Sequence, residues 1–314
     1  FDAESEARIA EWWGRRIADW LRAGVRGFRL DRPHMLPSGF LQQVIEAAKS
    51  ASPECRFVGW TPGLAPEDLA RLQTAGIDFT VASTCWWDFR TDWYIDEHAR
   101  LEAVAPPIAL SEMPGGVRLA ESYPNSATLE EGYRRIVRYC ATSEHGWLMP
   151  MGFEFACAAP LEAVHADPAA FRAQTELGNI QLAGAIAEAN ATGRDLRRKL
   201  PALHWERLSA PGADVLGEIS PPVPKNGRWL RLVNAGNERG ETLDPAALLA
   251  RAGEALAVRG KGSDTEIFLD RAELLLLEIE PTAPVKLPAP KAQQQATAAA
   301  RLPRLVIDHI SPAV

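Results

Sequence analysis

The 314-residue chain is 46% hydrophobic and 24% charged, with a formal net charge of -7. It holds enough apolar mass for one large core or two ordinary ones, which excludes a disordered polymer, and its acidic balance repels phosphate backbones and anionic lipid, which argues against nucleic acid and membranes as partners. The longest apolar runs, such as residues 274–277, fall far short of the roughly 20 residues of a membrane-spanning helix. Cys55, Cys85, Cys140 and Cys157 are scattered, without C-x-x-C pairs or dense even spacing, and read as reduced thiols. There is no basic-then-apolar leader and the first residue is Phe1, so the chain is expected to be cytoplasmic and a piece of a longer polypeptide.

Apolar runs of β character alternate five times with segments of helical period, the pattern of a parallel α/β architecture. Residues 4–23 make an amphipathic helix with Ile9, Trp13, Ile17, Trp20 and Leu21 on one face and Gly24 at its C-terminal end; Trp12, Trp13 and Trp20 are expected in the core. A strand at 25–30 runs into Asp31, and a loop with Pro33 and Pro37 leads to a helix at 38–50 and a second strand at 56–60. A helix at 66–75 stops at Gly76, a third strand spans 77–83, and an aromatic loop with Trp86, Trp87 and Trp93 precedes a helix near Asp96. The fourth strand is 107–111, a helix at 128–142 feeds the fifth strand at 147–151, and one long alanine-rich helix at 168–191 closes the series. From about residue 214 the texture changes to short β runs at 215–219, 229–234, 265–269 and 274–279, separated by Gly, Pro, Asn and Asp turn chemistry. The Pro-, Ala-, Lys- and Gln-rich stretch that follows cannot bury a core and reads as a linker, with one isolated strand at 305–310.

In parallel β/α folds the carboxyl ends of the strands carry function, because the loops there vary over a rigid scaffold. That rule selects Arg29, Asp31 and His34 after the first strand, Trp60 after the second, Cys85 to Asp88 after the third, Glu112 after the fourth and Glu154 after the fifth. Each has a plain alternative. Arg29 and Asp31 could be an ordinary ion pair at a strand end, and Glu112 a solvated loop charge. Trp60, Trp86, Trp87 and Trp93 could stack on sugar rings or simply cover the strand ends against Pro62 and Pro107. The histidines at 34, 98, 145, 165, 204 and 309 look isolated from carboxylates and cysteines at ligand spacing, so no metal site is expected. No cofactor is expected either, since Gly115-Gly116 is a turn signal and not a phosphate loop.

The segment Gly27-Phe-Arg29-Leu-Asp31-Arg-Pro-His34-Met-Leu-Pro37 resembles the nucleophile segment of the α-amylase superfamily, glycoside hydrolase family 13, whose motif G-x-R-x-D closes the fourth barrel strand. The following D-x-P-H-x-x-P is closer to one branch, the α-1,4-glucan:maltose-1-phosphate maltosyltransferases. By that resemblance Asp31 is the nucleophile of a covalent glycosyl intermediate, Arg29 orients it and His34 lines the sugar subsite; Trp60, Trp86 and Trp87 are candidate substrate-binding residues by their strand-end position, and Glu112 as a substitute for the family's third carboxylate. The implied architecture is α/β: strands four to eight of a (β/α)8 TIM-type barrel over residues 1–195, then a small all-β sandwich over 196–281. A linker would occupy 282–300, and 301–314 would open a following β domain, where Arg304-Leu-Val-Ile-Asp-His-Ile-Ser-Pro312 resembles the first strand of a maltosyltransferase's N-terminal domain. The implied function is retaining maltosyl transfer or hydrolysis at α-1,4 linkages, on α-1,4-glucan or maltose-1-phosphate, within a polypeptide fused to a downstream maltosyltransferase; a homo-oligomer is left open.

Departures from the pattern limit what the resemblance implies. A retaining pair needs a second carboxyl about 5–5.5 Å from the nucleophile to serve as acid and then base. The family's glutamate for this role falls in Phe57-Val-Gly59-Trp60-Thr-Pro62, on Gly59 or Trp60, and neither can donate a proton. Near the place of the family's third carboxylate, in Leu110-Ser-Glu112-Met-Pro-Gly-Gly116, only Glu112 is acidic, and Glu154 matches a position that is structural more often than catalytic. This segment alone is therefore expected to be inactive. The alternative function is a catalytically degenerate amylase-like module that binds glucan or scaffolds the fused maltosyltransferase.

Overall fold

In the computed structural model, residues 2–123, 126–159, 167–177, 180–200, 203–223, 227–261 and 265–282 are described. The expected strand at 305–310, and the expected linker beyond Thr282, lie outside them. Helix α1 (Ala3–Arg22) begins where the Asp2 carboxylate accepts the Ser5 N–H, and it ends just before Gly24, whose φ of +105° suits a residue without a side chain. Strand β1 (Gly27–Leu30), helix α2 (Ser38–Ala51) and strand β2 (Arg56–Gly59) follow. Ala10, Ile17 and Leu21 of α1 bury against Leu41, Val44, Ile45 and Ala48 of α2, over Phe57 of β2.

The chain continues through α3 (Pro66–Leu72), β3 (Thr80–Val81), α4 (Trp93–Glu102), β4 (Pro107–Leu110), α5 (Ser126–Ser143) and β5 (Trp147–Leu148). β1 pairs with β2 in parallel, a parallel bridge from Val58 to Phe79 joins β2 to the β3 segment, and β3, β4 and β5 pair in parallel in that order. The parallel strands therefore stand side by side in chain order with helices between them, the alternation that the hydrophobic pattern predicts. β3 and β5 are only two residues long, shorter than expected. On the β2 side of β3 the fully buried Thr61 hydroxyl donates to the Val81 carbonyl at 2.7 Å and accepts its N–H at 2.8 Å, so a side chain takes the place of ladder bonds there.

Two expectations for the helices fail. Trp12, Trp13 and Trp20 are 48%, 39% and 40% exposed, not core. They form a ladder of tilted and edge contacts that continues through Phe28 to Phe57. The reason is that β1 is an edge strand with alternating exposed and half-buried residues, and no described strand lies beyond it to cover this face. The single helix expected at 168–191 is two, α6 (Pro168–Leu177) and α7 (Ala183–Lys199). Between them Ile180 and Leu182 turn into the core, and the Leu182 N–H donates to the Glu154 carbonyl at 2.9 Å.

The remainder is mostly antiparallel: β6 (Glu206–Arg207), β7 (Val215–Ile219), β8 (Arg228–Asn234), β9 (Glu241–Leu243), helix α8 (Pro245–Leu249), β10 (Leu256–Val258), β11 (Ile267–Leu269) and β12 (Leu274–Pro281). Five of these strands form one sheet in the order β10-β12-β8-β7-β6, and β11 pairs with β9. Ile219, Leu230, Leu232 and Ile279 of the sheet share a buried cluster with Ile267 and Leu269 of β11 and Leu249 of α8. β6, β9, β10 and α8 were not expected, because segments this short carry too little periodicity to be read. No helix among the described residues is long and apolar enough to cross a membrane.

Candidate functional site

The site is built on the end of β1. At Gly27 a Cβ would sit 2.7 Å from the Arg56 carbonyl oxygen, so a glycine allows β1 to lie close against β2. Alternation along the strand then sends Phe28 toward Phe57 and puts Arg29 and Asp31 together on the other face. The backbone turns sharply after Asp31, because Arg32 takes the left-handed conformation with φ +50°, an uncommon state for a side-chain-bearing residue, and starts a single helical turn at Pro33–Met35. The half-buried His34 sits in that turn, and its buried Nδ1 has no hydrogen-bond partner among the described residues.

Arg29 grips Asp31 with both edges of its fork: Nε lies 2.9 Å from Oδ1, and Nη2 donates to Oδ2 at 3.2 Å. The two side chains are 49% and 64% exposed, so the pair contributes little to stability and serves to fix the carboxylate's direction. The Arg29 guanidinium also lies over the Trp60 ring, 4.9 Å from its centroid. In register, Leu30 faces Gly59, so the residue beside Asp31 on the neighbouring strand is Trp60, whose N–H donates to the Leu30 carbonyl at 2.9 Å. Asp31, Arg29, His34 and Trp60 thus gather at the carboxyl ends of β1 and β2. Gly59 and Trp60, the two positions on which the resemblance places the second carboxyl, bring no acidic group to this end of β2.

The other expected binding residues divide. Trp86 is 51% exposed at the end of the β3 segment, but Trp87 is buried at 5% exposure. Trp87 stacks on Tyr94 at 4.6 Å, touches Phe89 and Tyr139, and spends its N–H on the Thr91 carbonyl, so it is a core residue and not a sugar platform. Glu112 is likewise turned inward, 2% exposed, 2.6 Å from the fully buried Arg118 and accepting the Leu119 N–H at 2.8 Å. Arg118 in turn donates to the carbonyls of Met151 and Ala159, so this pair ties the loop after β4 to the loop after β5. Burial raises the Glu112 carboxyl above its ordinary value, against the lowering effect of the Leu119 N–H and Arg118. Glu154, after β5, keeps one carboxylate oxygen buried without a hydrogen-bond partner among the described residues.

Sequence reasoning missed several polar groups. Glu97, 7% exposed, accepts the Ser83 N–H at 2.9 Å and the Ser83 hydroxyl at 2.5 Å, locking the end of the β3 segment to α4. The expectation that no histidine meets a carboxylate at ligand spacing also fails. His98 and Glu102 are one helical turn apart on α4, and the fold brings His204 and Glu144 to them. The four-residue spacing of His98 and Glu102 was the readable signal.

No family model matches the chain. It is 37% identical over 210 residues to an α-1,4-glucan:maltose-1-phosphate maltosyltransferase of Burkholderia pseudomallei (strain K96243), a match that covers 66% of this chain and 18% of that protein. The α-amylase of Geobacillus thermoleovorans, solved with acarbose, superposes with a TM-score of 0.63 at 15% identity over 90% of this chain and 66% of its own. An Anoxybacillus α-amylase gives 0.61 at 17% identity, covering 90% and 65%. A cyclic α-maltosyl-(1→6)-maltose hydrolase of Arthrobacter globiformis, solved with maltose, gives 0.60 at 16%, covering 87% and 60%. The chain has the fold of these α-amylases and is similar in sequence to part of the maltosyltransferase. It spans less than a fifth of the maltosyltransferase and about two thirds of the amylase, whose low identity speaks for the fold alone.

The module's cysteines are all unpaired, and burial pushes the Cys85 thiol up to about 12 and raises Cys55 and Cys140 as well. Because the thiolate is the reactive form, alkylation of native Cys85 at pH 8 should run about 10³-fold slower than that of a free cysteine. Timed iodoacetamide labelling of native against urea-unfolded protein checks this, and rapid labelling of Cys85 in the native state would refute it.

Proposed function

We propose that this module handles α-1,4-glucan within a longer, cytoplasmic, maltosyltransferase-like polypeptide, by retaining maltosyl transfer or hydrolysis through Asp31. The observation that carries the reading is the forked Arg29–Asp31 pair at a strand end, flanked by the Trp60 ring. Asp31 attacks the anomeric carbon and displaces the group bonded there, Arg29 aims the carboxylate, and His34, the half-buried Trp60 and the exposed Trp86 receive the sugar. The donor is an α-1,4-glucan or maltose-1-phosphate, the reactants for which the sequence relative is named. In this reading the parallel strands are numbers four to eight of a barrel over residues 1–195, the antiparallel part is a β-sandwich over 196–281, and a linker leads to a fused maltosyltransferase. The low coverage of that relative supports the fusion, and the unpaired cysteines support a reducing compartment.

A second reading, a degenerate module that binds glucan or scaffolds its neighbour, rests on Trp60 standing beside Asp31 in place of an acid. The deciding assay is maltosyl transfer from maltose-1-phosphate to a maltodextrin by the intact polypeptide, wild type against Asp31→Ala, scoring transfer and hydrolysis. A collapse supports catalysis through Asp31. An unchanged rate removes it and leaves the second reading, under which maltodextrin binding survives Asp31→Ala and falls with Trp60→Ala.

A further inference from the structure

At the opposite end of the parallel strands from Asp31, four side chains converge that neither reading uses. His98 and Glu102 lie on the last turns of α4, which lead into β4, and Glu144 stands where α5 gives way to β5. His204 comes from the segment before β6. The Glu102 Oε2 is 3.8 Å from His98 Nδ1 and 3.7 Å from His204 Nδ1, and all three ligand atoms lie within 4.8 Å of one another.

The geometry points to a binding site for a divalent transition cation of the zinc type, with His98 Nδ1, His204 Nδ1 and a Glu102 carboxylate oxygen as its protein ligands. Two imidazoles and one carboxylate are a borderline donor set that suits such ions and suits the harder calcium and magnesium poorly. Metal bonds of about 2.0–2.2 Å would set tetrahedral ligand atoms roughly 3.3–3.6 Å apart, so the two separations to Glu102 need to close by a few tenths of an ångström, and the one between the imidazoles, within 4.8 Å, by no more than about 1.5 Å, a rotamer adjustment open to the exposed His204.

What distinguishes this trio from a chance surface cluster is how it is held. The Nε2 of His98 lies 2.9 Å from the Glu144 carboxylate, which is 1% exposed and also accepts the Tyr94 hydroxyl at 2.9 Å. A carboxylate acceptor at Nε2 places that proton on Nε2 and leaves the Nδ1 lone pair facing Glu102, the arrangement by which an outer carboxylate orients a ligating histidine. His204 is fixed from both sides, since Leu203 and Trp205 are buried at 5% and 9% exposure and the Trp205 N–H donates to the Thr142 carbonyl at 3.2 Å. The His204 and Glu102 side chains remain 60% and 35% exposed, which leaves an entry path and open coordination positions for water. A bound ion would staple α4 to the segment that enters the antiparallel sheet, a structural role at the end of the strands where stability and not chemistry resides.

The test is Zn2+ titration by calorimetry into tag-free, chelator-stripped intact polypeptide, with Co2+ spectra as a geometry probe, on wild type, His204→Ala, Glu102→Gln and Glu144→Gln. Wild type is expected to bind one equivalent that His204→Ala and Glu102→Gln lose, together with the Co2+ ligand-field bands. Glu144→Gln, which alters the orienting group and spares the ligands, should weaken Zn2+ by about 10- to 100-fold. Zn2+ should raise the Tm of wild type and not of His204→Ala, whose metal-free Tm should match wild type because the side chain is exposed. Equal Zn2+ binding by wild type and His204→Ala, or no binding by wild type, would overturn the site.

Discussion

Arg231→Met should destabilise the protein by about 3–5 kcal/mol and lower its Tm by roughly 10 °C, while the double change Arg231→Met with Glu218→Leu should recover most of that loss. Arg231 on β8 is 1% exposed and pairs with Glu218 on β7 at 2.7 Å, with Nε donating to the same carboxylate at 2.8 Å. Its other guanidinium nitrogens donate to the Ser143 hydroxyl at 2.9 Å and the Tyr139 hydroxyl at 3.3 Å, and the group stacks between the rings of Tyr139 and Trp205 at 4.3 and 4.2 Å. One residue thus binds the antiparallel sheet to α5. Removing it strands the Glu218 carboxylate without a counter-charge in a buried site, and that uncompensated charge is the main cost. Taking away the carboxylate as well leaves apolar atoms of similar volume between two rings, which buried ion pairs tolerate. Thermal denaturation of the single and double variants decides the matter. A double variant as unstable as the single would assign the loss to the stacking on Tyr139 and Trp205 instead.

This network shows where sequence reading stops. The alternation of apolar runs with helical segments is enough to place the parallel strands in order and to flag Arg29, Asp31 and Trp60, because an apolar run and a strand-end position are local properties of the chain. Trp87 and Glu112 were misassigned because burial is not local: whether an indole or a carboxylate at a strand end faces solvent depends on Tyr94, Tyr139 and Arg118, which approach from other elements. Trp13 and Trp20 went wrong in the opposite sense, since an apolar helix face is read as core even when nothing described stands beyond β1 to cover it. His204 is invisible beside His98 and Glu102 by the same logic, being more than 100 residues away in the chain and brought near only by the docking of the sheet.

Asp31→Ala should cut maltosyl transfer at this site by at least about 10³-fold, and in wild type the donor should matter nearly as much as the nucleophile. Attack by Asp31 on the anomeric carbon expels whatever is bonded there. A glucan's departing sugar oxygen would leave as an alkoxide, a strong base, unless it takes up a proton and leaves as a hydroxyl, a contribution of about 10²- to 10⁴-fold that Trp60 cannot make. A phosphate monoester has a second pKa of about 6, and its monoanion carries its own proton, so that it is expelled as the weak base HPO4(2−) without an outside acid. If Asp31 and Arg29 work beside an indole, maltose-1-phosphate should therefore turn over about 10²-fold or more faster than an α-1,4-linked maltodextrin of equal occupancy, and the difference should vanish in Asp31→Ala, where both rates collapse. Initial rates with each donor, on wild type and variant, separate the possibilities. Equal rates for the two donors in wild type would mean that a proton reaches the leaving group from a residue other than Trp60. Full transfer in Asp31→Ala would move turnover out of this module, leaving the Arg29–Asp31 fork to orient a bound sugar that another domain uses.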